Sequence, residues 1–136
     1  MKHRVLITGG ANGIGKASAQ RCMAEGYEVI VIDREGDGIR ADLSCPNQTA
    51  EALEEALKHG PITRLLNNVG TVEAATAQEQ SLAQFDRVIA LNLRCAMQCT
   101  QALLPSSKFT VIVCSVNSPY IFKKESRFFT KSQLDS

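Results

Sequence analysis

The chain has 136 residues, enough for one domain around one hydrophobic core. Apolar residues make up 44% and charged residues 21%, and a net charge of +1 arises from acidic and basic residues that are interleaved rather than blocked, so no nucleic-acid stripe and no polybasic membrane anchor is expected. Two His and no Trp leave little for a His-based metal site, and none is expected.

Five cysteines without a CxxC pair read as small apolar residues of a reduced compartment, although Cys95 and Cys99, one helical turn apart, would bring two thiols close. Nothing at the N-terminus reads as a secretory leader and no apolar run is long enough to cross a membrane, so the expected location is cytoplasmic.

Strand and helix signals alternate. Residues 4–8 (RVLIT) form a short β-branched run that ends in glycines, the mark of a buried strand. Residues 13–25 then predict a helix stopped by Gly26, and 28–33 (EVIVID) a second buried strand. The link from Asp33 to Asp42 is too short for a crossover helix, so a turn leads to a short third strand near 39–41. Residues 47–59 predict a helix with Ala50, Leu53, Ala56 and Leu57 on one face, ended by Gly60-Pro61. A fourth strand falls at 63–67. Ser81-x-x-Gln84 is a capping box that opens one long helix, which runs to about Leu104 and is stopped by Pro105. A fifth strand covers 109–115 (FTVIVCS). The alternation implies a parallel sheet covered on both faces, and right-handed crossovers favour a doubly wound α/β sheet of about five strands.

Between the first strand and first helix lies Thr8-Gly9-Gly10-Ala11-Asn12-Gly13-Ile14-Gly15. A strand-turn-helix of this kind aims free backbone amides and the positive end of the helix dipole at one point, where a pyrophosphate can bind. Glycines let the backbone turn tightly and let the phosphates approach without a Cβ in the way. Asp33 ends the second strand eighteen residues after Gly15. A carboxylate there accepts hydrogen bonds from both ribose hydroxyls of an adenosine and repels a 2′-phosphate, which favours NAD over NADP, with Arg34 and Lys16 weighing the other way. Phe85, Val88, Ile89, Ala96 and Leu103 mark the expected buried face of the long helix, and Asn92 falls on it; a buried amide must find partners.

The spacing TGxxxGIG resembles the short-chain dehydrogenases/reductases, and over about residues 4–115 further elements follow in that family's order. The resemblance implies an incomplete Rossmann-like fold with NAD as cofactor, held by Thr8, Gly9, Asn12, Gly13, Ile14, Gly15, Asp33 and Arg34. Ala41-Asp42-Leu43 matches the acidic residue that bonds the adenine amino group, with Leu43 beside it. Asn67-Asn68-Val69-Gly70 looks like the family's NNAG, in which Asn68, Val69 and Gly70 support the cofactor pocket; Val69 in place of Ala is a departure.

The family chemistry is hydride transfer between the nicotinamide and a carbonyl or alcohol carbon. The resemblance therefore implies a small alcohol or carbonyl substrate and a catalytic set drawn from Asn92, Ser115, Tyr120 and Lys124. Tyr120 and Lys124 match YxxxK as a string, and helical geometry would put both on one face. Yet Tyr120 comes only five residues after Ser115, a shorter interval than the family's, while family-like spacing lands on Phe128 and Ser132.

Residues 1–116 are thus expected to be a dinucleotide-binding domain and 117–136 an atypical tail. Relatives continue nearly as long again, so a truncated or frame-shifted reading frame, or a stripped-down variant, is the expectation. Self-association would run through the long helix 81–104, and a fifth strand lacking its neighbour would be an aggregation risk. A non-catalytic dinucleotide-binding fragment is the alternative. The extended type that acts on nucleotide sugars is disfavoured, because it carries TGxxGxxG.

Overall fold

The structure, a computed structural model, describes residues 2–73, 75–105, 110–113, 121–123 and 128–129. Strand β1 (Arg4–Thr8) lies between β2 (Glu28–Asp33) and β4 (Arg64–Asn67); β3 (Ile39–Arg40) flanks β2, and β5 (Thr110–Val113) flanks β4. These five strands are parallel, in the order 3-2-1-4-5, with Thr8 beside both Ile32 and Asn67 in register. Strand order reverses between β1 and β4, and ligands of such sheets bind at the carboxyl ends of the strands at that reversal.

Alternation along β1 explains how both faces are covered. Leu6 packs with Ile32 and Leu65 under α2 (Pro46–Leu57) and under the last stretch of the long helix, while Val5 and Ile7 pack with Leu66 against Ala19 of α1 (Gly13–Ala24). Arg4, at the opening of β1, is buried as well. Its guanidinium donates to the carbonyls of Ala56 (3.1 Å) and Gly60 at the end of α2 and pairs with Glu28 at 3.2 Å, so the buried cation is matched by the negative end of a helix.

The long helix departs from the expectation. It is broken into α3 (Leu82–Ile89), a π turn (Ala90–Arg94) and α4 (Cys95–Leu103). The capping box at Ser81 and Gln84 is formed, with both reciprocal hydrogen bonds. The extra residue of a π turn changes the helical phase. As a result the buried positions are Ala90, Cys95, Cys99 and Leu103, whereas Phe85 and Ile89, expected inside, are exposed. In α2, Thr49, Ala52, Leu53 and Ala56 face the core and Ala50 faces solvent, because the helix begins at Pro46 and the Thr49 hydroxyl can be buried by donating to the Cys45 carbonyl at 3.0 Å. The Cys95 and Cys99 thiols stand 4.0 Å apart, as their spacing predicts, and both are free.

Part of the tail also joins the sheet. Strand β6 (Ile121–Lys123) pairs antiparallel with β5, and β7 (Phe128–Phe129) antiparallel with β6. The expectation of a fifth strand without a neighbour is corrected: β5 is paired along both sides. Among the described residues no helix is long and apolar enough to cross a membrane, and no cluster of three or more His, Cys, Asp or Glu side chains is placed to hold a metal.

Candidate functional site

The end of β1 is tied to the turn after β4. The buried Thr8 hydroxyl accepts hydrogen bonds from the amides of Asn68 and Val69, each at 3.1 Å, and the Asn68 side chain donates to the Gly9 carbonyl at 3.0 Å. Helix α1 then crosses over this junction. A Cβ on Gly15 would lie 2.2 Å from the Gly9 carbonyl oxygen and 2.4 Å from Asn68 Nδ2, so only glycine lets the helix approach so closely. Gly13 differs. It has φ +56°, and a Cβ there would meet no protein atom within 4 Å, so its bare backbone faces open space. The side chain of the capping residue, Asn12, makes no bond to the helix and reaches Glu35 at 3.4 Å instead. The first amides of α1 therefore lack the acceptor a cap would supply, at the positive end of the dipole.

Asp33 stands half-buried across from this turn. Its Oδ2 accepts from the Ala11 amide at 3.0 Å and its Oδ1 from the Glu35 amide at 3.1 Å. A carboxylate has about four lone-pair sites, so each oxygen keeps acceptor capacity. Asp42 is held by its own turn: Oδ1 accepts from the Ser44 amide at 3.0 Å and the Ser44 hydroxyl at 2.6 Å. The hydroxyl, then the amide, hold the Asp42 carboxyl below its ordinary range, and the fields of Arg34 and Arg87 act in the same direction.

Asn92 lies in the π turn, half-buried. Its Oδ1 accepts from the Thr71 amide at 2.7 Å and its Nδ2 donates to the Thr71 carbonyl at 2.8 Å. This closed pair fixes the segment after β4, and a Cβ on Gly70 would come within 3.0 Å of Asn92 Oδ1. Neighbouring Asn67 donates to the Thr100 hydroxyl at 3.3 Å, while its Oδ1 has no partner among the described residues.

These elements enclose a cleft of about 560 Å³, within the usual range of small-molecule sites. Of the residues singled out from sequence, Gly9, Asn12, Asp33, Arg34, Asp42, Leu43, Asn68, Val69 and Gly70 line it. Thr8 and Gly15 sit beneath its floor, Gly13 and the exposed Ile14 lie at the outer start of α1, and Asn92 acts on the wall through Thr71. Ser115, Tyr120 and Lys124 lie outside the described residues. Ile121–Lys123, between the latter two, form strand β6, so the one-face argument from helical spacing does not apply there.

Sequence reasoning missed Glu35, Ser44, Thr71, Arg87 and Leu91 as wall residues. Ser44 was signalled by the Asp-x-Ser turn pattern. Arg87, which donates to Glu73, reaches the cleft only through the docking of the long helix, which no local pattern announces.

The strand order, the reversal point and a glycine turn beside an acidic strand end define a doubly wound α/β protein of the dinucleotide-site type. More narrowly, the chain belongs to the short-chain dehydrogenase/reductase family: the family model described as short chain dehydrogenase matches residues 3–124. It is 34% identical over 122 residues to the cis-2,3-dihydrobiphenyl-2,3-diol dehydrogenase of Paraburkholderia xenovorans (strain LB400), an alignment covering 75% of this chain and 44% of that protein. Among solved structures it is similar to the ligand-free aldohexose dehydrogenase of Thermoplasma acidophilum, with 26% identity and a TM-score of 0.80 over 92% of this chain and 53% of that one. It is also similar to a blue fluorescent protein from a metagenomic library, in complex with NADPH, with 26% identity and a TM-score of 0.71 over 76% and 51% of the two chains. The chain thus spans about half the length of the relatives it matches.

Proposed function

We propose that this chain is the cofactor-binding part of an NAD(H)-dependent oxidoreductase acting on an alcohol/ketone pair, with residues 1–116 as the dinucleotide-binding unit and a small alcohol or carbonyl compound as substrate. One observation carries the reading: the Asp33 carboxylate is fixed by two backbone amides directly across from the uncapped start of α1, with acceptor capacity to spare. In this arrangement the amides that follow Asn12 bind the diphosphate, Gly13 leaves room for it, Asp33 accepts from the adenosine ribose hydroxyls, and ionised Asp42 accepts from the adenine amino group. When bound, nicotinamide dinucleotide supplies or takes up the hydride.

The residues assigned to the chemistry are Ser115, which orients the substrate oxygen, Tyr120 as acid/base, Lys124 beside it, and Asn92, which holds the wall at Thr71. A relative bound to NADPH weighs towards NADP; the carboxylates of Asp33 and Glu35 on the cleft wall weigh towards NAD, because a 2′-phosphate there would meet like charge. A cytoplasmic setting is supported by four free cysteines among the described residues. Self-association through the long helix is supported by the exposed stripe of Leu82, Phe85, Ile89, Leu93 and Met97. Sedimentation of Leu93→Glu tests it: an unchanged coefficient removes that role.

Calorimetric titration of the chain with NADH and NADPH tests the main reading. Saturable binding is expected, about tenfold or more tighter for NADH. No heat with either dinucleotide overturns the site, and tighter NADPH binding overturns the preference. A binding-only reading is favoured by the strand conformation of Ile121–Lys123 inside the YxxxK string. Saturable NADH binding without turnover on a panel of alcohols and ketones, and with Tyr120→Phe indistinguishable from the parent, selects it.

A further inference from the structure

The turn from Ala41 to Pro46 puts Ala41, Asp42, Leu43 and Ser44 on the cleft wall, and its backbone is held from outside by the long helix. Arg94, the last residue of the π turn, donates from Nη2 to the Ser44 carbonyl at 2.5 Å, and Gln98, one helical turn on, donates from Nε2 to the Pro46 carbonyl at 2.8 Å. Inside the turn, Ser44 in turn holds the Asp42 carboxylate through both its amide and its hydroxyl, and the Asp42 amide donates to Gln48 Oε1 of α2 at 2.8 Å.

The chain of contacts is continuous from helix to ligand-facing carboxylate. A residue with only side-chain-to-solvent freedom would let Asp42, an exposed residue, sample many directions; here its donor partner Ser44 is itself anchored. Arg94 and Gln98 meet the turn because the π turn sets their phase, while Cys95 and Cys99, the residue after each, face the core. A hydrogen bond from a charged guanidinium is worth more than a neutral one, so Arg94 is the stronger of the two braces.

We infer that Arg94 and Gln98 are positioning residues for adenine recognition: they hold the Asp42–Ser44 turn in the conformation that presents the Asp42 carboxylate to the adenine amino group. The inference rests on the proposed dinucleotide site, and it concerns the adenosine half alone. Preorganisation of this kind raises affinity by removing the ordering cost at binding, without contact between the brace and the ligand.

The experiment uses the full chain with AMP and NADH as probes, alongside Arg94→Ala, Gln98→Ala, the double variant and Arg94→Lys. The double variant is expected to bind AMP and NADH about tenfold more weakly, with its thermal midpoint close to that of the parent, and Arg94→Lys to recover most of the loss. Hydrogen exchange at the Asp42 and Ser44 amides, read without ligand, is expected to quicken in the double variant. Unchanged exchange at both amides overturns the brace. Faster exchange with unchanged AMP affinity overturns its role in recognition. A parent chain that binds neither AMP nor NADH overturns the proposed site instead, and the exchange measurement still decides whether the brace exists.

Discussion

Asp33 lines the cleft and Asn92 acts on its wall from behind, through Thr71, and their placing and hydrogen bonding separate their roles. Asp33 gives each oxygen to one backbone amide and retains lone pairs. Asn92 gives both amide atoms to the backbone of a single residue, Thr71, in a closed two-bond ring. The first group is oriented with acceptor sites to spare on the cleft wall; the second is oriented by Thr71 alone and does not itself line the cleft. A polar side chain acts on a ligand directly only when it both faces the cleft and keeps capacity after anchoring, and otherwise acts by shaping the wall.

Variants can break or sharpen this contrast. The largest effect is expected from the junction beneath the cleft: Gly15→Ala drives a methyl group into the Gly9 carbonyl and the Asn68 amide. The strain is worth about 1–3 kcal/mol or more, and dinucleotide binding should fall below calorimetric detection while the thermal midpoint drops. Asp33→Ala comes next, with NADH affinity expected to fall about tenfold to a hundredfold and discrimination against NADPH to disappear; a variant that binds NADH as tightly as the parent would remove Asp33 from the site. Asn92→Ala should show the opposite profile. Leaving the Thr71 amide and carbonyl without partners costs about 1–3 kcal/mol, visible in denaturant unfolding, whereas AMP affinity should stay within about threefold.

The smallest effect is a matter of pH. Asp42 titrates below its ordinary range because Ser44 donates to its charged form. Its contribution to stability is accordingly complete above the unfolded carboxylate's value and is lost as pH falls through the lower folded one. Ser44→Ala should move the Asp42 titration upward, towards the ordinary value, in a carboxyl NMR experiment; no movement would show that the turn does not hold it.

Much of this arrangement could be read from the chain before folding. Strand β1, helix α1 and strand β2 carry their boundaries in local chemistry, with a β-branched run, glycines at the turn and Gly26 in a positive-φ position after the helix. Asp33 follows from that, because its place is fixed by the end of a strand rather than by distant packing. The π turn could not be read: residues 90–94 (ALNLR) contain no glycine or proline, and the phase change answers to packing against α2 and β4. With it went the buried face of the long helix and the reach of Arg87 and Arg94. Arg4 was illegible for the same reason, since its partners are Glu28, Ala56 and Gly60, which only the folded chain brings near.

The single inserted position in that helix gives it one place that can absorb a change of length. Each residue of an α-helix turns it by about 100°, so deleting one residue within α3 would rotate its Ser81 end relative to Cys95 and Cys99 by roughly that angle. Between 90 and 94 the same deletion would instead convert the wide turn to an α turn and leave the two ends nearly in phase. One-residue length changes should therefore be far more damaging in α3 than in the π turn, which acts as the slack in the helix.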